Sequence, residues 1–307
     1  MTDYLQINLH LPTSWNACTT EELEHIASAI VAAQLRVDRY RSFDWSRVKL
    51  QIVLAINGIT VSEELRVKSE ELLGEETYMV KREQDKEPWP ISIGQIHALC
   101  ERLSWIDDPK TSKVIFRFPY QEMTLNFNDS PFTVVGPPPL LDGYTWREYR
   151  WLTDWMQEYM RLANAMAQMK SKGVSSKHQE ALNKARNEFL AVLFKPKEED
   201  IFNVLSFMFN DFSAVKWQVV LFWWSSLMQQ LSKKFPRVFK QQPAGKGKQP
   251  NKDTPWDFYN RVTATVQKYI GGLSVADVDS QPYGVTLQQL EMMADEAAEM
   301  EKMKHKK

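Results

Sequence analysis

Residues 201–239 read IFNVLSFMFNDFSAVKWQVVLFWWSSLMQQLSKKFPRVF and hold the most concentrated apolar content of the chain. The first half predicts an amphipathic helix, because apolar residues recur at helical spacing, namely Ile201, Val204, Leu205, Met208 and Phe212. Asp211 and Ser213 interrupt this pattern. A second helix, apolar on nearly all sides, is then predicted over 215–228 and must end near Pro236. We therefore expect a helical hairpin at the centre of the core, with Leu221 fully buried.

The apolar run around Trp223 is too short and too polar for a membrane span. A spanning helix needs about 20 apolar residues, whereas this run contains Lys216, Gln218, Ser225 and Ser226. The pattern favours a buried helix of a soluble protein, and we expect no membrane partner.

The composition is that of a globular protein. Of 307 residues, 43% are hydrophobic and 25% are charged, and the formal net charge is −1, which gives no general attraction to nucleic acid or acidic membranes. The 11 Trp, 10 Tyr and 15 Phe residues either fill a core or serve an interface, and composition does not separate the two. Cys18 and Cys100 show no CxxC spacing, so we expect reduced thiols and a cytoplasmic location.

The N-terminal part of the chain predicts an α+β region with a short antiparallel sheet. Helices are expected after the capping boxes Thr19/Glu22 and Ser92/Gln95, and also over 43–56 and 62–73. Alternating apolar residues predict strands at 4–11 and 77–82 and a small sheet around 113–135, with a turn at 128–129.

The segment GPPPLLDGY at 136–144 predicts the boundary to a helical region, because its prolines favour an extended chain. Thr145 and Glu148 form a capping box for a long helix over 145–170, and more helices are expected over 180–194, from 254–255 and from Thr286. The polar segment 240–253 predicts a flexible loop, and the C-terminal tail is expected to fray. The expected protein is mainly α, with an α+β region at 1–136 and a helical region at 137–307.

The chain lacks the motifs of known chemistry. None of its 5 histidines lies in HExxH, and GxGxxG, GxxxxGK[ST] and GxSxG do not occur. The acidic runs at 107–108 and 198–200 lie at a turn or a helix start, where the helix dipole explains them. We therefore expect no catalytic, cofactor-binding or metal-binding residues, no enzyme activity and no small-molecule substrate.

Two tryptophan pairs are candidate partner-binding residues. Trp151 and Trp155 lie four residues apart on the predicted long helix, and Trp223 and Trp224 are adjacent in the aromatic one. Tryptophan is enriched at binding hot spots, while core packing is the alternative. Because adjacent helical residues point about 100° apart, one of Trp223 and Trp224 faces away from whatever buries the other.

One basic cluster offers a second binding hypothesis. Lysine and arginine recur through 233–252, interleaved with Phe235 and Phe239, which would suit nucleic acid. The simpler explanation is that Lys233 and Lys234 complement the dipole at a helix C-terminus and that the remaining lysines keep a loop soluble. Nucleic acid is therefore a disfavoured partner.

Several stretches together resemble a known group of proteins: LPTSWNACTTEEL at 11–23, GPPPLLDGYTWREYRWLTDWMQEY at 136–159, VLFKP at 192–196, KKFPRVF at 233–239 and VDSQPYGVTLQQL at 278–290. They resemble uncharacterised proteins encoded among the tail and structural genes of prophages in Bacteroides-type gut bacteria. By gene position such proteins look like tail assembly chaperones. The resemblance implies a non-enzymatic phage tail assembly protein that binds a tape-measure or tail-tube protein in the host cytoplasm. The alternative it leaves open is a structural virion component of the tail or baseplate.

Overall fold

The computed structural model describes residues 9–37, 42–61, 77–85, 87–108, 115–127, 130–169, 175–197, 204–239 and 255–304. Over these ranges the chain forms nine α-helices and two three-stranded antiparallel sheets, so the predicted mainly α class is confirmed. The chain divides into two compact units. Unit 1 comprises Met1–Ile115 and Ser213–Ser226, and unit 2 comprises Phe116–Phe212 and Leu227–Lys307. The predicted division into 1–136 and 137–307 stays a prediction.

Unit 1 combines three helices with the first sheet. Its helices are α1 (Thr20–Arg36), α2 (Trp45–Ile56) and α3 (Ile93–Glu101), and its strands are β1 (Ile59–Val61), β2 (Thr77–Arg82) and β3 (Trp89–Ser92), paired in the order β1-β2-β3. The predicted capping box of α1 is present, since Glu22 N donates to Thr19 Oγ1 at 3.2 Å and Thr19 N donates to Glu22 Oε2 at 2.7 Å. Ser92 and Gln95 cap α3 in the same way. The strand predicted at 4–11 lies mostly outside the described residues, and the helix predicted at 62–73 lies wholly outside them.

Aromatic rings fill part of the core of unit 1. The Trp15 ring lies 5.2 Å from the Trp105 ring and 5.0 Å from the ring of Phe222, which belongs to α6 (Ala214–Lys234). The one fully buried serine of α6 has a structural role, because Ser226 Oγ accepts a hydrogen bond from Ile115 N at 2.7 Å and donates one to Ile115 O at 3.3 Å. A polar group in this apolar helix is therefore satisfied by the backbone it packs against.

The predicted helical hairpin is wrong in its first half. Of 201–212 the structure describes 204–212, which contains only the 3₁₀ turn Ser206–Phe209. Side chains from a neighbouring helix hold this segment: Arg186 Nη2 donates to the carbonyls of Phe209 and Asn210, each at 3.4 Å, and Asn187 Nδ2 donates to Asn210 Oδ1 at 2.8 Å. These tertiary bonds accompany a conformation that the local apolar spacing does not predict.

The second half of the hairpin prediction is confirmed, but Leu221 is not the buried residue that we expected in this helix. The helix predicted over 215–228 is confirmed as α6, which continues to Lys234. Leu221 is only half-buried, so its predicted full burial is wrong. The buried stripe instead follows Val220, Trp223, Leu227 and Leu231 at helical spacing, and Leu221 lies beside it.

Unit 2 begins with the second sheet. β4 (Glu122–Phe127) pairs with β5 (Ser130–Val135), and β5 pairs with the short β6 (Lys195–Pro196). The predicted sheet is thus confirmed over 122–135, but 115–118 is irregular rather than a strand. There the buried Phe118 packs against Gly136, where an added Cβ would lie 2.5 Å from Phe118 Cδ1 and 2.2 Å from Tyr120 O. A ring and a backbone carbonyl thus leave no room for a side chain at Gly136. The turn predicted at 128–129 lies outside the described residues.

The helices of unit 2 are α4 (Trp146–Met169), α5 (Ser176–Leu193), α7 (Pro255–Ile270), α8 (Val275–Ser280) and α9 (Tyr283–Lys304), joined by the end of α6. The capping box predicted for α4 is present, since Thr145 N donates to Glu148 Oε2 at 2.8 Å and Glu148 N donates to Thr145 Oγ1 at 3.3 Å. α5 begins earlier than predicted, as does α9, and α8 was not predicted. α9 also continues to Lys304, into the tail that was expected to fray.

The start of α4 is joined to the C-terminal helices by backbone and side-chain bonds. Trp146 N donates to Gln281 O at 2.7 Å and Tyr283 N donates to Tyr144 O at 3.0 Å, which places Thr145 opposite Pro282 in an antiparallel bridge. We call this contact the α4–α9 bridge. It supplies an acceptor for an N–H group that the first turn of a helix otherwise leaves unpaired.

A buried ion pair lies beside the α4–α9 bridge. Arg150 Nη2 lies 3.3 Å from Asp279 Oδ2, and both side chains are buried. Arg150 Nη1 also donates to Thr263 Oγ1 at 3.3 Å, and Trp146 Nε1 donates to the same oxygen at 3.0 Å. α4 is therefore fixed to both α7 and α8 by polar contacts inside the core of unit 2.

The flexible loop predicted at 240–253 lies outside the described residues.

None of the helices described combines the length and the apolar character that crossing a bilayer requires.

Candidate functional site

A groove of about 1060 Å³ lies within unit 2, along α4 and α5. We call it the α4–α5 groove and define it by the residues used below, which are Glu148, Trp151, Asp154, Trp155, Glu158 and Arg161 of α4, Glu188 of α5 and Lys195 of β6. These side chains mix two large aromatic rings with an excess of carboxylates.

The spacing of residues along α4 explains why this face is available. Tyr149, Leu152 and Met156 are buried in the core. Trp151 and Trp155 are one turn apart on another face, where Trp151 is 39% exposed and Trp155 is half-buried. A single amphipathic helix thus presents two indole rings to the groove while its remaining apolar residues hold it in place.

Asp154 is the unusual polar residue of the groove. Both of its carboxylate oxygens are buried, and neither has a hydrogen-bond partner in the part of the chain that the structure describes. Burial raises the pKa of Asp154 to about 6, and the positive charge of Arg150, one turn earlier, lowers that pKa only in part. A buried carboxylate without hydrogen bonds destabilises a fold. The packing of unit 2 therefore gives no structural reason for an acidic residue at position 154.

The other charged side chains of the groove have partners. Lys195 Nζ donates to Glu148 Oε1 and lies 4.8 Å from the centre of the Tyr144 ring. Arg161 donates to Glu158 through Nε at 2.7 Å and through Nη2 at 2.6 Å. Glu188 Oε1 accepts a hydrogen bond from Ser206 at 3.1 Å. Both cations are therefore already engaged by carboxylates.

The pKa of Glu148 contrasts with that of Asp154 on the same helix. Burial alone would raise the pKa of Glu148, but hydrogen bonds from Lys195 and Thr145 outweigh burial and hold this pKa below its ordinary value. One carboxylate of the groove is thus stabilised as an anion, while the other lacks the donors that would do so.

The four tryptophans predicted to bind a partner separate into two sets. Trp151 and Trp155 line the α4–α5 groove. Trp223 and Trp224 are 1% and 7% exposed, with their rings 6.3 Å apart, so both are buried, as in a core with a second layer. Only the first pair is open to a partner in this conformation. That any of the four binds one stays a prediction.

The described part of the basic cluster is partly neutralised. The Arg237 side chain pairs with Asp295 of α9, and the Glu291 carboxylate accepts from the N–H groups of Arg237 at 3.0 Å and Val238 at 2.9 Å. Lys234 Nζ lies 5.5 Å from the centre of the Phe235 ring. These contacts reduce the positive charge available to nucleic acid, and the rest of the cluster, from residue 240 on, lies outside the described ranges.

Asp154, Glu188 and Lys195 were not predicted as site residues. The signal that could have identified Asp154 is the sequence WLTDW at 151–155, in which a carboxylate lies three residues after one tryptophan and directly before another. Within the described ranges no three His, Cys, Asp or Glu side chains cluster as metal ligands would. Burial raises the pKa of Cys18 to about 12 and that of Cys100 above its usual value, so neither thiol is activated.

Comparison with known proteins adds no relative. A scan against protein-family models, a search of curated proteins and a search of solved structures each give no match to this chain.

Proposed function

We propose that this chain is a non-enzymatic, chaperone-like phage tail assembly protein that binds a tape-measure or tail-tube protein through the α4–α5 groove. The observation that carries the proposal is the position of the groove. Trp151, Asp154 and Trp155 belong to the stretch 136–159, and Lys195 belongs to 192–196. Both stretches are among those that resemble prophage tail-module proteins.

The exposure and lining of the groove favour a polypeptide over a small molecule. Small-molecule pockets enclose most of their ligand, whereas this groove leaves Trp151 39% exposed. Tryptophans at the centre of a patch, with charged residues at its edge, are the usual composition of a protein-binding hot spot. The groove therefore suits a chain segment laid along α4.

Co-expression with candidate tape-measure and tail-tube proteins tests the proposal by pull-down. The wild type should capture one of them, and the double variant Trp151→Ala/Trp155→Ala should not. Met292→Ala is a matched control, because Met292 is also a large exposed apolar residue of unit 2 but lies on α9. Melting temperatures of all three proteins show whether any loss of capture reflects unfolding. Capture of neither tail protein by the wild type would refute the proposal.

The proposal also predicts that this chain is absent from the finished virion. A chaperone acts in the host cytoplasm and leaves before assembly ends, so mass spectrometry of purified particles should not find this chain. Its presence at a fixed copy number would instead establish the alternative, a structural component of the tail or baseplate.

A further inference from the structure

We infer, building on the proposed function, that the α4–α5 groove binds an arginine side chain of the partner, with its guanidinium paired to Asp154 and stacked on Trp151 or Trp155. The partner segment is therefore basic at the position that enters the groove. Three features of the described residues lead to this assignment.

The first feature is the pair of unused acceptors on Asp154. Both carboxylate oxygens are buried without a hydrogen bond, and Arg150, the nearest cation on the helix, directs donors to Thr263 and Asp279. A guanidinium carries two parallel N–H groups that match the two oxygens of one carboxylate. It would supply the hydrogen bonds that Asp154 lacks in the free protein.

The second feature is the placement of the two indole rings. Trp151 lies three residues before Asp154 and four residues before Trp155, so the Trp151 ring neighbours both of these side chains on the surface of α4. A cation is attracted to the face of an aromatic ring, and tryptophan is the strongest of the three aromatic side chains in this respect. Both rings line the same groove as Asp154.

The third feature is the charge of the groove. Its lining has four carboxylates, Glu148, Asp154, Glu158 and Glu188, against the two cations Arg161 and Lys195, a net charge of −2 when all are ionised. Lys195 and Arg161 are held by Glu148 and Glu158. The charge left to attract a ligand is negative.

Arginine fits these features better than lysine. The ammonium of lysine is a compact and strongly hydrated point charge, whereas the guanidinium is planar, more weakly hydrated and able to stack on a ring while it pairs with a carboxylate. The groove offers both a ring face and a two-oxygen acceptor, which only the guanidinium uses together.

Fluorescence anisotropy with labelled tripeptides tests the assignment on the full chain. The probes are tri-arginine, tri-lysine and tri-citrulline, since citrulline keeps the shape of arginine without its charge. We expect saturable binding of tri-arginine, a Kd for tri-lysine that is several-fold higher, and no saturable binding of tri-citrulline. Asp154→Asn should raise the tri-arginine Kd about tenfold, the loss expected for one charge-assisted pair.

Two further variants separate the groove from general electrostatic attraction. Glu21→Gln removes a highly exposed carboxylate of unit 1 and should leave the Kd unchanged. Trp155→Leu keeps an apolar side chain but removes the ring, and should raise the Kd about threefold. Equal tri-arginine binding by the wild type and Asp154→Asn would overturn the inference, and so would equal binding of tri-arginine and tri-citrulline, or of tri-arginine and tri-lysine.

The pull-down of tail proteins distinguishes failure of this inference from failure of the proposed function. If the wild type captures a tail protein but its tri-arginine binding does not depend on Asp154, the function stands and the arginine site is refuted. If tri-arginine binding depends on Asp154 while neither tail protein is captured, the arginine site stands and the proposed partner is wrong.

Discussion

Replacing Asp154 by asparagine should stabilise the protein at neutral pH. The pKa of Asp154 rises from 3.8 to about 6 on folding, because the carboxylate is buried. Between these two values the folded protein holds the proton more tightly than the unfolded chain does. Stability therefore falls as the pH rises through this window, and the full cost of the charge is present above about pH 6.

The size of the effect follows from the shift in pKa. Each unit corresponds to about 1.4 kcal/mol, so a shift of about two units gives at most ~3 kcal/mol. Asp154 is not fully buried, and screening by solvent reduces this to about 1–2 kcal/mol. Roughly half of it is present at pH 5, because that pH lies midway in the window.

Thermal unfolding of both proteins at pH 5 and pH 7.5 measures this difference. A gain of 1–2 kcal/mol corresponds to a rise in melting temperature of about 2–8 °C for a domain of this size, with a smaller rise at pH 5. The cost of burying the uncharged asparagine amide is the same at both pH values. The difference between the two rises in melting temperature therefore isolates the effect of the Asp154 charge. Equal melting temperatures at pH 7.5, or a larger rise at pH 5, would refute the reasoning.

Glu148→Gln is the matched control, since Glu148 lies on the same helix and lines the same groove. Its pKa is lowered on folding, so its charge contributes stability above the ordinary carboxylate pKa, and that contribution is lost as the pH falls through the folded pKa. The glutamine variant should therefore melt lower than the wild type at pH 7.5, a change of opposite sign to that of Asp154→Asn.

Three other substitutions test the fold by melting temperature or chemical unfolding. Asp279→Ala leaves Arg150 buried without its carboxylate and should cost about 3–5 kcal/mol; a change below 1 kcal/mol would mean that the pair is not formed. Trp223→Ala should cost about 3–5 kcal/mol, clearly more than Leu221→Ala, because only the tryptophan is fully buried; the reverse order would contradict the burial seen in α6. Thr19→Ala removes one side of a capping box and should cost about 1 kcal/mol, whereas Thr19→Ser should restore most of it.

The helix starts could be predicted because both partners of each cap lie within three residues of sequence. The boxes at Thr19/Glu22, Ser92/Gln95 and Thr145/Glu148 all form as their spacing indicates. The segment 204–212 could not be predicted in this way. Its conformation depends on donors from Arg186 and Asn187, more than 20 residues earlier in the chain, and apolar spacing carries no information about such partners.

The candidate site, too, could be predicted from the sequence only in part. Trp151 and Trp155 were predicted as binding candidates because tryptophan is enriched at binding hot spots, which is a property of the residue type alone. The state of Asp154 depends on the burial of its carboxylate in the folded chain, and sequence does not reveal that both oxygens are buried without donors. Trp223 and Trp224 looked equally suitable in sequence, yet the packing around α6 buries both.

The α4–α9 bridge joins parts of the chain that the ribosome makes at different times. Arg147 and Asp279, which pair beside it, are separated by 132 residues, and at about 5–20 residues per second their synthesis is about 7–26 s apart. During this interval α4 has neither the acceptor at Gln281 nor the carboxylate of Asp279. The packing of α4 against α5, which follows it directly in the chain, can therefore form before its polar contacts with Gln281 and Asp279 are completed.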